Sequence, residues 1–371
     1  MRVLRRLLVV ALVLGLTACS DPQTIFDPKG TNAEKINDLQ IPVFIAAGVV
    51  GLIVAVMLLY VMFTGRRRRI TEDDEPRQVH GNTRVEIGWT IVPFLILLAV
   101  AIPTVAVLIS IDRQPANAMK ISVFGQQWWW SYQYDVNGDG IPEVTTPNEL
   151  VIPVGQPVTL EVQSRDVIHS FWIPALNGTR DAVPGRIQTL QIVADQPGVY
   201  QGQCKEFCGL SHANMRARAI ALSPSDFQTW LSEQQEGPRT PAAGSQAAAG
   251  LDLFKAKCAQ CHQINTVNDV DGHAALVAGY APNLTHLMSR TVFASAMFPL
   301  YVTDTSGKQI FNRNQLEAWL RDPPALLPMA PDEGRGMPNL QLSESEIDQL
   351  IAYLQTLGPY PPGVTPPTSS P

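Results

Sequence analysis

The 371-residue chain is short of cysteine and carries no excess of positive charge. Its 27 Lys and Arg stand against 33 Asp and Glu, a net charge of −6, which argues against a nucleic-acid partner. No basic binding face gathers outside the flanks of its apolar segments. The five cysteines stand at positions 19, 204, 208, 258 and 261. Each falls in a motif with a use of its own, so none is left for a structural disulfide. Charge is missing altogether from 41–63 and from 87–111, and each run is long enough to cross a bilayer as a helix. The length allows two or more domains.

Residues 1–18 read as an export signal. Arg2, Arg5 and Arg6 form its basic region, and Leu7 to Leu16 its apolar one. Leu16-Thr17-Ala18-Cys19 resembles a bacterial lipobox, which makes Cys19 the lipidated start of the mature chain. Ordinary cleavage nearby or a retained helix are the alternatives, and Leu16 disfavours the first. Residues 19–40 are then an external segment. Arg66 to Arg69 follow the first apolar run and mark the cytoplasmic side. Pro93 and Pro103 in the second run are tolerable in a membrane helix packed on neighbours. Residues 41–111 thus read as a transmembrane hairpin with the bulk of the chain outside. Glu86, at the cytoplasmic end of the second run, is a functional suspect. The bland reading is a solvated helix-end charge.

Residues 117–225 read as an all-β domain. Short apolar stretches recur between turn signals at Lys120 to Phe124, Glu149 to Val154, Val158 to Val162, Gln188 to Val193 and Arg216 to Leu222. Cys204, Cys208, His212 and Met215 lie within one short stretch. Thiolates and a thioether with imidazole favour copper. A mononuclear blue site needs one Cys, whereas two on one loop can bridge two copper ions. A further His is required from a neighbouring strand, and His169 is the candidate. A Cys204–Cys208 disulfide and a Cys2His2 zinc site are the alternatives, and neither uses Met215. One ligand at a mid-domain strand end and the rest on a late loop is the cupredoxin arrangement. Asp135 to Gly140 resembles the start of a calcium loop, but Thr146 stands where an EF-hand needs Glu. It reads as a hairpin tip.

Residues 236–250, rich in Ala, Gly, Ser, Pro and Gln, read as a flexible linker. Residues 251–357 form a second soluble domain. Cys258-Ala259-Gln260-Cys261-His262 is a c-type haem attachment motif, with thioethers at the two thiols and His262 on the iron. A zinc or redox site is the alternative. Met288, Met297, Met329 and Met337 are available as the distal ligand. Met337-Pro338, a capping box at Ser343 and Glu346, and Ala352-Tyr353-Leu354 resemble the C-terminal pattern of class I cytochromes c. That favours Met337, with Met329 second and the other two in the core. His273 and His286 read as surface or pocket residues. Residues 358–371 form a Pro-rich, disordered tail.

The pattern Cys-x-Glu-x-Cys-x3-His-x2-Met over 204–215 resembles the CuA loop of cytochrome c oxidase subunit II. With the haem motif, the chain is similar to the caa3-type form of that family, which carries a fused cytochrome c. The resemblance implies a multidomain membrane protein: a two-helix transmembrane hairpin, an all-β cupredoxin domain and an all-α class I cytochrome c domain. It implies a dinuclear copper held by Cys204, Cys208, His169, His212, Met215 and the Glu206 carbonyl. The Glu206 carboxylate would reach a Mg ion shared with subunit I. Gly125 to Tyr132 resembles the family's aromatic segment, which gives Trp128 the place where electrons arrive. Gln126 and Trp129 depart from it, and a tethered donor would explain the departure. Val85 to Pro93 resembles the family segment that puts Glu86 at the mouth of the K proton channel. The implied activity is that of cytochrome-c oxidase, with oxygen reduction and proton pumping in subunit I. The implied partners are subunits I and III, the bilayer, and a cytochrome c or bc-type complex as donor. The implied place is a bacterial cytoplasmic membrane with both cofactor domains on the outer face. A CuA-containing nitric oxide reductase subunit and a membrane-anchored electron carrier are the other readings.

Overall fold

The structure, a computed structural model, describes residues 22–66, 80–265, 269–270, 273–274, 280–361 and 364. The export signal, Cys19 and the basic residues 67–69 lie outside these residues. The chain divides into two compact units, Glu34–Arg113 and the rest.

The first unit is built from two helices, α1 (Thr31–Arg66) and α2 (Thr83–Ile111). Both are long and apolar enough to cross a membrane, and the expected spans lie inside them. Their large apolar side chains are exposed from Ile41 to Phe63 and from Ile87 to Ile109, as a lipid solvent requires. Polar side chains turn back on the helix: Thr90 Oγ1 donates to the Glu86 carbonyl and Thr104 Oγ1 to the Val100 carbonyl. Asn82 caps α2 by accepting from the Arg84 and Val85 amides.

The second unit contains the β domain. Strands β1 (Met119–Gln126), β2 (Trp129–Tyr134), β3 (Val144–Pro147), β5 (Val158–Ser164) and β8 (Gln188–Ile192) form one sheet in the order β3-β2-β1-β5-β8. Strands β4 (Glu149–Pro153), β9 (Gly198–Gln203) and β10 (Arg216–Leu222) form a second, ordered β4-β10-β9. Strand β6 (His169–Phe171) pairs with β7 (Arg180–Ala182). β1 runs parallel to β5, and β4 parallel to β10, so the chain crosses between sheets rather than meandering. Apolar side chains alternate inward along β1 and β10, and Ile121, Val123, Trp130, Leu160 and Phe171 fill the core. All five expected strands are present. The segment before α1 packs on this domain, with the Lys29 amide donating to the Ala175 carbonyl.

Helix α3 (Pro224–Gln235) closes the β domain, and its Phe227 and Leu231 enter the same core. The expected linker is shorter than 236–250. Ser245 accepts from the Ala248 amide and starts α4 (Gln246–Lys257), so Gln246 to Gly250 are helical. A short ladder, β11 (Asp269–Val270) with β12 (His273–Ala274), follows the haem motif. Two more are inserted further on: β13 (Val292–Phe293) with β14 (Phe298–Pro299), and β15 (Tyr301–Thr303) with β16 (Gln309–Phe311). Helices α5 (Arg313–Arg321), α6 (Pro323–Leu326) and α7 (Glu344–Leu354) complete the domain. Phe254, Leu316, Leu320, Ile347, Leu350 and Ile351 form its helical core. The Ser343–Glu346 capping box that starts α7 is formed on both sides.

Candidate metal and haem sites

The loop between β9 and β10 carries five of the expected copper ligands, and β6 brings the sixth. The two sulfurs, Cys204 Sγ and Cys208 Sγ, are 3.9 Å apart. His169 Nδ1 lies 4.0 Å from Cys204 Sγ, and His212 Nδ1 lies 3.4 Å from Cys208 Sγ. Met215 Sδ is 3.8 Å from Cys208 Sγ, and the Glu206 carbonyl is 3.2 Å from Cys204 Sγ. His169 and Met215 are fully buried, and both cysteines nearly so. One nitrogen and two sulfurs of His169, Cys204 and Cys208 lie within 4.8 Å of one another. Both thiols are free, and their separation is far beyond a disulfide bond. The donor set therefore fits a soft metal centre with two sulfurs in its middle. A hydrogen bond from Cys208 lowers the Cys204 thiol below its ordinary value, and Cys208 is raised in return.

Three neighbours orient these donors, and sequence reasoning had passed over them. Asp166 Oδ1 accepts from His169 Nε2 at 2.8 Å, which leaves Nδ1 facing the sulfurs. Burial pulls the His169 imidazole down, and Asp166 with Cys204 more than offsets it, so its pKa is raised. The Gln127 side-chain amide donates to the Cys208 carbonyl at 2.6 Å. Gly125 gives room: a Cβ there would stand 2.8 Å from His169 Cδ2. An Asp three residues before a ligand His is a usable sequence signal. The roles of Gln127 and Gly125 have none, because they arise where β1 folds against β6 and the residue after β1 meets the copper loop.

Trp128 is 5% exposed, and its indole Nε1 donates to the Cys208 carbonyl at 3.0 Å. It touches the copper loop directly. The Glu206 side chain is exposed. Glu86 lies in the first turn of α2, and a Cβ at Gly81 would stand 2.1 Å from its Oε1. Asp135, Asp139 and Glu143 draw together at the hairpin tip.

In the helical domain, Cys258 caps the end of α4. The amides of Cys261 and His262 both donate to the Cys258 carbonyl, which winds the motif into a tight turn. The Pro282 carbonyl accepts from His262 Nδ1 at 2.8 Å, the kind of bond that orients a ligating imidazole. Burial lowers the His262 pKa and favours the neutral, ligating imidazole. Burial pushes the Cys258 thiol up to about 11. These features fit a c-type haem. Met337 packs against the core that includes Phe254, Cys258 and Ile264. Met329 folds over Gly336 beside it. Met288 is buried, with its carbonyl bonded by Tyr301, as expected of a core residue, whereas Met297 is half-buried at the hairpin. His286 is buried, and its Nε2 lies 2.9 Å from the Gln234 carbonyl. The side chain of His273 lies outside the described residues.

Together the fold and donors define a membrane-anchored electron carrier with a cupredoxin domain and a haem domain in one chain. Three family models match it: cytochrome c oxidase subunit II, transmembrane domain, over 22–107; its periplasmic domain over 135–221; and cytochrome c over 247–358. Cytochrome c oxidase subunit 2 of Alkalihalophilus pseudofirmus is 34% identical over 93% of this chain and 94% of its own length. That of Bacillus subtilis is 32% identical over 95% and 97%. The periplasmic domain of subunit II of cytochrome oxidase from Bradyrhizobium japonicum is 32% identical over 32% of this chain and 94% of its own, with a TM-score of 0.30. The chain belongs to the cytochrome c oxidase subunit 2 family and has a cytochrome c domain at its C-terminal end. It is an electron-transfer subunit of an oxidase and a membrane protein, and its two cofactor domains imply copper and haem.

Proposed function

We propose that this chain takes electrons at a covalent haem c, passes them to a dinuclear copper centre and delivers them to subunit I. The convergence of Cys204, Cys208, His169, His212 and Met215 within bonding reach of one centre carries the reading. Copper and haem iron, when bound, each carry one electron at a time. Cys204 and Cys208 would hold the copper ions through their sulfurs. His169 and His212 through Nδ1, Met215 through Sδ and Glu206 through its carbonyl would complete the set. Cys258 and Cys261 would attach the haem through thioethers, and His262 and Met337 would hold its iron. His169, Cys204, Cys208 and Met215 are buried, which excludes water from the middle of the copper site, so little solvent must reorganise there when charge moves.

Trp128 is the route between the domains, because its indole bonds the backbone of Cys208. The exposed Glu206 carboxylate is free to reach a Mg ion at the subunit I contact. Glu86 would admit protons from the cytoplasmic side. Cys19 would carry lipid. The complex includes subunits I and III in a bacterial cytoplasmic membrane, with the copper and haem domains on the outer face. A cytochrome c or bc-type complex supplies the electrons. Oxygen reduction and proton pumping belong to subunit I.

The test is Cys208→Ser in the purified complex. The unaltered protein should show one electron spin shared over two copper ions, and the variant should lose that signal while keeping its haem. A Cys208→Ser protein with the shared spin intact would overturn the assignment.

A further inference from the structure

Glu149 opens β4, at the edge of the second sheet, and is 3% exposed. A carboxylate buried so far needs partners. Its own domain supplies one cation, Arg218, directly opposite on β10. The other partners come from the haem domain. The Thr291 amide donates to both carboxylate oxygens, at 3.1 and 3.2 Å, and the Thr291 hydroxyl donates to Oε1. Arg218 Nη1 donates to Thr291 Oγ1 at 3.2 Å. Arg290, also buried, adds a second cation beside the carboxylate and donates to the Asn283 carbonyl.

The neighbouring residues make two further contacts of the same kind. Gln234, near the end of α3, donates to Ser289 Oγ at 3.2 Å, and its carbonyl lies 2.9 Å from His286 Nε2. Ser295, at the tip of the β13–β14 hairpin, donates from Oγ to the Trp128 carbonyl at 2.5 Å. Its own carbonyl accepts from the Arg216 amide at 3.2 Å. The tip is held in an unusual shape, with Ala294, Ser295 and Ala296 all in the left-handed region at φ 48, 60 and 58°. The segment 286–295 therefore touches the β domain at α3, at β4, at Trp128 and at the start of β10.

We propose that segment 286–295 is a latch that seats the haem domain in one resident position on the copper domain. Glu149 is its buried anchor and Ser295 its link to Trp128. The argument is one of desolvation. A transient encounter keeps its charges on a wet rim, where partners part at little cost. Here parting would strip buried Glu149 of its Thr291 donors and of Arg290, leaving it only Arg218, and would leave Arg290 on the haem domain without its opposite charge. A carboxylate placed this way stabilises one bound geometry and penalises every loosened one. Glu149, Thr291 and Ser295 are thus positioning residues for haem-to-copper transfer. The inference rests on the proposed electron route only for that last consequence.

The experiment uses the full chain, loaded with haem and copper, and follows amide hydrogen exchange at Thr291. That amide donates across the interface, so its protection reports the latch without any electron transfer. The unaltered chain should protect it. Glu149→Gln and Thr291→Val should each speed its exchange roughly tenfold or more, the size expected for losing a hydrogen bond to a charged group. Haem and copper spectra should not change. Thr291→Val, close to isosteric, keeps the test open if Glu149→Gln does not fold. In both variants, haem-to-copper transfer after flash reduction should slow, while reduction of copper by a small soluble reductant should not. An unprotected Thr291 amide in the unaltered chain, or unchanged exchange in the variants, would overturn the latch. A protected amide in a chain whose haem never reduces its copper would support the latch and defeat the proposed electron route instead.

Discussion

Gly125 lacks a side chain where His169 needs the space. The Cβ of Gly125→Ala would stand 2.8 Å from the ring and 3.1 Å from His169 Cβ. The ring is fully buried and fixed by Asp166, so it has no room to yield. Gly125→Ala should therefore bind less copper or give a distorted copper spectrum, with covalent haem unchanged. A normal copper spectrum at full occupancy would show that β1 can shift. The distal haem ligand is decided at the same scale. Met337→Ala should keep the haem attached, abolish the Met-to-iron absorption and lower the reduction potential, because a thioether ligand raises it. If Met329→Ala does this instead, the ligand is Met329, which lies beside Gly336 on the same stretch. The donors themselves were legible because metal chemistry needs rare residue types at short spacings. Most of their supports were not. Asp166 alone has a local signal, its spacing to His169, whereas Gly125 and Gln127 are ordinary residues in a sequence and their roles come from segments that meet only in the fold.

Helices α4 and α7 show the same limit at the scale of elements. They cross at Gly250, where a Cβ would stand 2.0 Å from the Gln349 carbonyl oxygen and 2.8 Å from Tyr353 Cβ. Alanine gains up to about 1 kcal/mol of helix propensity over glycine. The obstructing atom is backbone, so the helices must separate, and overpacking of this kind costs about 1–3 kcal/mol. Gly250→Ala should lower the melting temperature of the haem domain and leave the copper spectrum alone. Composition marked this residue as linker because Ala, Gln and Ser are common in flexible segments. The same Ala and Gln are good helix formers once Ser245 caps them, and only the partner helix decides between the two uses.

The end of the same helix pair carries an acid-sensitive contact. Lys257 pairs with Glu346 at 2.9 Å, and Glu346 also accepts from the Ser343 amide and hydroxyl. These bonds, Lys257 first, hold the Glu346 carboxyl at about 2, below its ordinary 4.5. A depressed carboxyl contributes stability above its unfolded pKa and loses it as pH falls through the folded one. The loss should thus run between about 4.5 and about 2. Glu346→Gln should flatten that part of the haem domain's stability curve by removing what the carboxylate contributes near neutral pH, so that wild type and variant converge in acid. An unaltered acid limb would mean that the exposed pair contributes nothing measurable.

The whole molecule joins donor and acceptor in one chain, and this sets the kinetics. A tether replaces diffusional encounter with a high local concentration of the partner. With Gln246 to Gly250 drawn into α4, the irregular stretch left between α3 and α4 is short. Haem-to-copper transfer should be first order, with a rate constant independent of protein concentration. Steered encounters slow steeply with ionic strength, because exposed charges are screened beyond about 10 Å at 0.1 M salt. Here the interdomain contacts at Glu149 and Gln234 are buried, so added salt should change the rate little. Trp128 tests the route. It is buried, so Trp128→Ala would open a cavity beside the copper loop and confuse packing with transfer. Trp128→Phe keeps an aromatic ring and opens a smaller cavity, while it removes the Nε1 donor to the Cys208 carbonyl. It should slow haem-to-copper transfer with both cofactors in place. Flash reduction of the haem, followed at the copper absorption over a range of protein and salt concentrations, makes both measurements. A rate that rises with protein concentration would make another molecule's haem the donor. An unchanged rate in Trp128→Phe would take the electron past the indole by another path.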